Sequence, residues 1–245
     1  FRRMQGEESE KVGRNHGFRC AAACESGRSR HNGRMKRTRA LTISLWGVAL
    51  ILVGVLIGVV VTAIGPVNAL DRGWMALMVE ARVDPMVAVG RFFDWLGGGW
   101  RATLLVPGIV VVALALLRRP WGIAFFALSA LLSVILVQLL KSIFARARPE
   151  DMLVVSDFGS FPSGHAANAA TVMVVLIVLL RNPVMTIIGV VWIIAMAWSR
   201  TYLGAHWLTD TIAGIAIGTG AALVMLGVFS AQLEKENDAR HPATV

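Results

Sequence analysis

Six uninterrupted apolar runs dominate this sequence, at about 41–64, 102–117, 121–140, 164–180, 184–199 and 211–230. Inside a bilayer the backbone has no water to bind, so runs of this length must close their hydrogen bonds within helices. A soluble core would not need so much apolar sequence. Hydrophobic residues make up 56% of the chain against 16% charged, and the mean hydropathy of +0.65 lies far from ordinary soluble usage. The predicted fold class is all-α: a polytopic membrane protein whose six transmembrane helices form one bundle. Several runs fall short of the roughly 20 residues that cross a full hydrocarbon core, so their flanks must extend them.

Six crossings return both termini to one side. The connections at 118–120 and 181–183 are tight, end in proline and carry Arg118, Arg119 and Arg181. With the basic N-terminus inside, both fall inside as well, as the bias of lysine and arginine toward the cytoplasm requires. Segments 65–101, 141–163 and 200–210 then face outward. Lys141, Arg146, Arg148 and Arg200 lie there, on the side where basic residues are least expected. The predicted localisation is a multi-pass cell-membrane protein with cytoplasmic termini.

The flanks differ from the bundle in kind. Residues 1–39 hold eleven Lys or Arg against four Glu, with little apolar spacing, and read as a disordered cytoplasmic tail. No aromatic interleaving or folded module accompanies the charge, so nucleic acid is not an expected partner. Cys20 and Cys24 lack a second ligand pair for zinc and read as incidental. Met35, followed by Lys36, Arg37 and the first apolar run, is an ordinary beginning for a membrane protein, which would make residues 1–34 a matter of start-site choice. That run is too long for a cleaved signal peptide. The expected membrane domain is 40–230, and 231–245 reads as a polar, solvated tail. Segment 65–101 mixes Asp71, Glu80, Arg82, Asp84 and Asp94 with Trp74, Phe92, Phe93 and Trp95, which suits short amphipathic helices at the interface. A lid or side wall around a lipid entrance and a simple packed connection are both open for it.

The outward segments carry the chemistry. Lys141 is followed seven residues on by Arg148-Pro149; Pro162-Ser163-Gly164-His165 opens the fourth run; Ser199-Arg200 precedes His206 and Asp210 just before the sixth. Such a set suits phosphoryl transfer without a metal or other cofactor. Lysine and arginine donors can hold phosphate oxygens while charge redistributes among them. Arginine grips two oxygens at once and lysine adds a movable point charge. Amides at the Ser163-Gly164 helix start have no intrahelical acceptor and sit at the favourable end of the dipole. His206 and Asp210, four apart, share a face if the last helix starts early. The carboxylate would then accept from one ring nitrogen and leave the other to attack phosphorus. His165 would protonate the departing oxygen and later activate water. On the residues alone, the opposite division between the two histidines stays open. Singly, each residue has a duller account: a snorkelling lysine, an interfacial histidine, a helix cap. Their convergence on one face of the membrane is what argues against coincidence.

These three segments, in this order and spacing, resemble the signatures of the type 2 phosphatidic acid phosphatase superfamily, with the similarity in helix arrangement reaching over residues 36–230. The resemblance implies a six-helix bundle with its site near the non-cytoplasmic surface. It implies His206 as nucleophile, Asp210 as its orienting partner, His165 as acid, and Lys141, Arg148, Ser163, Gly164 and Arg200 as the phosphate cradle. It also implies a membrane lipid phosphate or diphosphate as substrate, of the undecaprenyl diphosphate, phosphatidate, diacylglycerol diphosphate or phosphatidylglycerophosphate class. Vanadium-dependent haloperoxidases share the signature but resemble soluble proteins, which the apolar runs oppose. A lipid or anion transporter would place its basic residues nearer the midplane. A catalytically silent membrane protein is the third alternative. The residues do not speak to oligomeric state.

Overall fold

The structure is a computed structural model that describes residues 36–65, 67–156 and 158–240. Cys20, Cys24, Met35, nearly all of the basic tail and residues 241–245 lie outside the described residues. Every regular element among those described is helical. In chain order they are α1 (Lys36–Ala63), α2 (Ala69–Glu80), α3 (Asp84–Gly97), a π-helical turn (Arg101–Leu105) that runs into α4 (Val106–Leu116), α5 (Pro120–Phe144), α6 (Gly164–Leu180), α7 (Pro183–Tyr202) and α8 (Leu208–Arg240).

By length and composition four helices can cross a membrane: α1, α5, α7 and α8. The α3–α4 pair, bent by 56°, makes a fifth if it is counted as one span. The expected six therefore become four to five on this measure, for two physical reasons. The 102–117 run opens on a π-turn that leaves α4 only 11 residues, too short to cross alone, and the 56° bend falls at the break between Gly97 and Arg101. The 164–180 run forms α6 at 17 residues, about three short of a full crossing.

Helix boundaries follow local sequence. Pro120 and Pro183 stand at the first helical positions of α5 and α7, where a missing N–H costs nothing. Asn182 caps α7 by accepting from the Val184 amide at 2.8 Å, and the Ser163 hydroxyl accepts from the Ala166 amide at the start of α6. Small residues let the helices approach closely, as is usual where lipid gives no hydrophobic drive to helix pairing. A Cβ on Gly218 of α8 would lie 2.1 Å from the Ala167 carbonyl oxygen of α6, and one on Gly47 of α1 would lie 2.7 Å from the Gly220 carbonyl oxygen of α8. Phe125 and Phe126 of α5, Val172, Val175 and Leu179 of α6, and Phe229 and Leu233 of α8 fill the core between these helices.

The C-terminal stretch differs from the expected solvated tail. α8 continues to Arg240 and buries Leu233 and Glu236. Glu236 accepts from Arg119 Nε at 3.0 Å and from the Trp121 amide at 2.8 Å. Arg119 also donates to the Leu179 carbonyl and to Asn237. A guanidinium enclosed by the α4–α5 turn and the end of α6 needs a carboxylate, and one more pair of helical turns in α8 supplies it. This cluster ties together the end of the bundle opposite segments 141–163 and 200–210.

Candidate active site

Four helix ends meet at the other end of the bundle: the last turn of α5 with Lys141, the start of α6 with Ser163, Gly164 and His165, the last turn of α7 with Arg200, and the start of α8 with Asp210. Connections 145–163 and 203–207 lie between them. Ala145 takes a left-handed conformation with φ 42°, and its amide returns to the Lys141 carbonyl at 3.0 Å, so α5 stops and the chain turns across the helix ends. Gly159 (φ 72°) and Gly204 (φ 70°) make the remaining turns. At Gly204 a Cβ would also stand 2.4 Å from the Asp151 carbonyl oxygen, so neither the angle nor the space admits a side chain.

Lys141 and Arg200 are buried and Arg148 half-buried, and backbone carbonyls aim Lys141 and Arg148. Lys141 Nζ donates to the Gly159 carbonyl at 3.1 Å, and Arg148 Nη2 donates to the same oxygen at 2.9 Å. Arg148 Nη1 donates to the Ala205 carbonyl at 2.5 Å and lies 3.3 Å from His206 Nε2. Arg200 is only 1% exposed, and its Nη1 donates to Asp94 Oδ1 at 2.5 Å. Lys141, Arg148 and Arg200, expected to converge, thus gather around the two histidines.

His206 differs in detail from the expectation. α8 begins at Leu208, so His206 precedes the helix instead of riding on its face. Its Nδ1 lies 2.7 Å from the Ser160 carbonyl oxygen but 3.6 Å from Asp210 Oδ2. A carbonyl can only accept, so Nδ1 carries the hydrogen and a neutral ring presents a bare Nε2 toward Arg148. Burial, then the charges of Arg200, Arg148 and Lys141, push His206 well below the ordinary imidazole value of 6.5. The neutral ring is therefore the resting form at neutral pH.

Asp210 Oδ2 instead accepts from the Trp207 amide at 2.9 Å, closing the first turn of α8 as the acidic member of a capping box does. Its Oδ1 accepts from Arg146 Nη1 at 2.6 Å. Arg146 Nη2 reaches Asp71 Oδ2 at 2.7 Å. Asp71 in turn accepts from the Thr209 amide at 3.0 Å and from its hydroxyl at 2.7 Å. Asp71, Arg146 and Asp210 form a buried acid–base–acid chain that joins α2, the 145–163 connection and α8.

The Ser163 amide, expected as a phosphate donor, is taken by the Asp210 carbonyl at 3.0 Å. With the Ala166 and Ala167 amides used by the cap and the first helical bond, Gly164 and His165 are the amides that a helix start leaves without an intrahelical acceptor. His165 Nε2 stands 3.7 Å from Asp94 Oδ1.

Sequence reasoning passed over Asp71, Asp94, Arg146 and the Ser160 carbonyl. Asp71 and Asp94 were visible as acids in amphipathic helices, and Arg146 as a base two residues before Arg148. Only tertiary contact distinguishes them from solvated charges. The carbonyl carries no side-chain signal.

The region that carries this geometry is similar to known proteins. The family model described as "PAP2 superfamily" matches residues 122–234, which contain all three signature segments. The chain is 31% identical over 130 residues to phosphatidylglycerophosphatase B of Bacillus subtilis, covering 48% of this chain and 64% of that protein. It is 31% identical over 134 residues to undecaprenyl-diphosphatase of Sulfolobus acidocaldarius, covering 50% and 63%. The matched parts thus span just under two thirds of these relatives. The crystal structure of a transmembrane PAP2-type phosphatidylglycerolphosphate phosphatase from Bacillus subtilis superposes with a TM-score of 0.67 at 25% identity, covering 76% of this chain and 96% of that one.

Proposed function

Because the chain belongs to the PAP2 superfamily, we propose that it hydrolyses phosphate from a membrane lipid phosphate or diphosphate through a phosphohistidine on His206. The observation that carries this reading is the state of His206: a buried neutral imidazole, Nδ1 tied to Ser160 and Nε2 bare among basic side chains.

The lone pair of Nε2 attacks phosphorus, the bond to the leaving oxygen breaks with its electron pair on that oxygen, and His165 delivers the proton. His165 then takes a proton from water. The resulting hydroxide attacks phosphorus, and the P–N electron pair returns to Nε2. Lys141, Arg148, Arg200 and the amides opening α6 bear the phosphate charge throughout. Arg148 Nη1, which lies 3.3 Å from Nε2, moves its donation to a phosphate oxygen. The positive charge that phosphorylation creates on the ring is met by the Ser160 carbonyl and by Asp210 at 3.6 Å. No metal is assigned a role, since the cations of the chain supply the charge.

In this reading the membrane domain is 40–230 with six crossings: α1, the bent α3–α4 pair, α5, α6, α7 and α8. Both termini are cytoplasmic and the site opens outward at headgroup level. Arginines at the opposite end support that orientation. The names of the two relatives favour substrates of the phosphatidylglycerophosphate and undecaprenyl diphosphate class, with phosphatidate beside them.

The test is phosphate release by detergent-purified protein from a panel of lipid monophosphates and diphosphates with EDTA present. Release is expected with EDTA, and His206→Ala is expected to abolish both turnover and the acid-labile phosphoenzyme. A panel with no release sinks the phosphatase reading, and a rate abolished by EDTA sinks its metal-free chemistry.

A further inference from the structure

Asp94 is the acidic residue of α3 nearest the proposed phosphate cradle, and two observations tie it there. Its Oδ1 lies 2.5 Å from Arg200 Nη1 and 3.7 Å from His165 Nε2, so a single oxygen stands between a phosphate-binding guanidinium and the ring assigned the proton. The end of α3 is also fitted to that ring: a Cβ on Gly97 would lie 2.6 Å from His165 Cδ2 and 3.0 Å from Met196 Cε, and one on Gly98 would lie 3.3 Å from His165 Nε2. α3 is held along α7, with the Phe93 ring tilted by 54° against Trp192 at 5.1 Å and Gly90 against Leu203. The carboxylate is therefore delivered by a packed helix and not by a free loop.

We propose that Asp94 is a positioning residue for the acid step, held beside His165 by Arg200 and giving the proton on His165 its counter-charge. The proposal rests on the phosphatase reading above. An acid must keep its proton until the leaving oxygen takes the electron pair of the broken P–O bond. In a cradle of lysine and arginine, that proton is disfavoured unless an anion adjoins the ring. Arg200 faces the same oxygen, and its guanidinium keeps that oxygen beside the His165 ring. Segment 65–101 then becomes a working wall of the site, and α3 acts on the leaving-group side while α2 acts through Asp71 on the side of Asp210.

The consequence depends on the leaving group. A lipid alkoxide or a lipid phosphate needs a proton as it departs, whereas 4-nitrophenolate does not. In Asp94→Asn, kcat on the lipid substrate is expected to fall about 10- to 100-fold with KM changed by less than about threefold, a partial loss of what general acids contribute. The single-turnover burst of 4-nitrophenolate is expected to stay within about threefold of wild type, because that step bypasses the acid. Asp94→Glu keeps the charge and is expected to restore part of the lipid kcat.

Three results would overturn the proposal: an unchanged lipid kcat with a lower KM, which would make Asp94 a placeholder that competes with phosphate; equal losses in lipid turnover and in the nitrophenolate burst; or Asp94→Glu no faster than Asp94→Asn. If Asp94→Asn is not recovered folded from detergent, Asp94→Glu decides alone, since a loss shared by both substrates overturns the idea and a loss confined to the lipid supports it. The wild-type burst and its absence in His206→Ala test the phosphatase reading separately, so the two failures are distinguishable.

Discussion

Replacing Arg146 with methionine tests whether the buried charge chain is an element of stability. Arg146 is 6% exposed and stands between Asp71 and Asp210, each 0% exposed, with contacts of 2.7 and 2.6 Å. Methionine fills much of the volume but leaves two buried carboxylates without their shared counter-ion. Breaking a buried pair in this way costs about 3–5 kcal/mol, because the remaining charge keeps its desolvation penalty. For a chain of this size that corresponds to a fall in melting temperature on the order of 10 °C. A double-mutant cycle with Asp71→Asn sharpens the test. Removing one of the stranded carboxylates should make the double variant more stable than the sum of the singles by about 1–3 kcal/mol. The assay is thermal unfolding of detergent-purified protein, followed by tryptophan fluorescence, since Trp207 lies 5.6 Å beneath the Arg146 guanidinium. A melting temperature within a degree or two of wild type for Arg146→Met, or strict additivity in the cycle, would refute the reasoning.

Other consequences follow from the same geometry. His206 sits well below 6.5 because burial and then Arg200, Arg148 and Lys141 oppose its proton. Its nucleophilic neutral form therefore persists as pH falls through 6.5 and is lost only below the depressed value. The nitrophenolate burst rate should be flat from neutral pH to below 6.5, and Arg148→Gln, which removes one of those charges, should move the acid limb upward; an acid limb centred at or above 6.5 in wild type contradicts this. Arg200→Lys keeps the charge but loses the planar fork, so kcat/KM on a lipid phosphate should fall about 10- to 100-fold, and a full rate would contradict the two-pronged grip. At Gly218 any Cβ meets the Ala167 carbonyl at 2.1 Å. Gly218→Ala should destabilise the α6–α8 contact by about 3 kcal/mol, the upper end of overpacking costs, visible as loss of the monodisperse peak in size-exclusion chromatography.

Long-range order of the charged residues is where sequence and structure part company. The all-helical class was legible because apolar runs in a bilayer have one economical way to satisfy their backbone. Lys141, Arg148, His165, Arg200, His206 and Asp210 were legible for a related reason: polar residues at the ends of apolar helices are few, and those at alternate ends of successive helices must share a membrane face. That reasoning uses only chain direction and helix count, both local properties. It could not measure how α3 bends against α4, because local sequence does not fix the angle at the break between Gly97 and Arg101, nor that α8 runs on to bring Glu236 to Arg119.

His206 shows the boundary most clearly. Its spacing from Asp210 suggested a direct hydrogen bond, yet where α8 starts decides whether two residues four apart share a face, and here the helix starts between them. The Ser160 carbonyl takes the ring hydrogen instead. Residue types and their order thus determined which side chains could do phosphoryl chemistry and at which end of the bundle they lie. Only the tertiary structure decided which partner each one has. Hydrogen bonds to carbonyls and ion pairs between Asp71, Arg146 and Asp210, or between Asp94 and Arg200, depend on distances between residues far apart in the chain, and no local pattern encodes those distances.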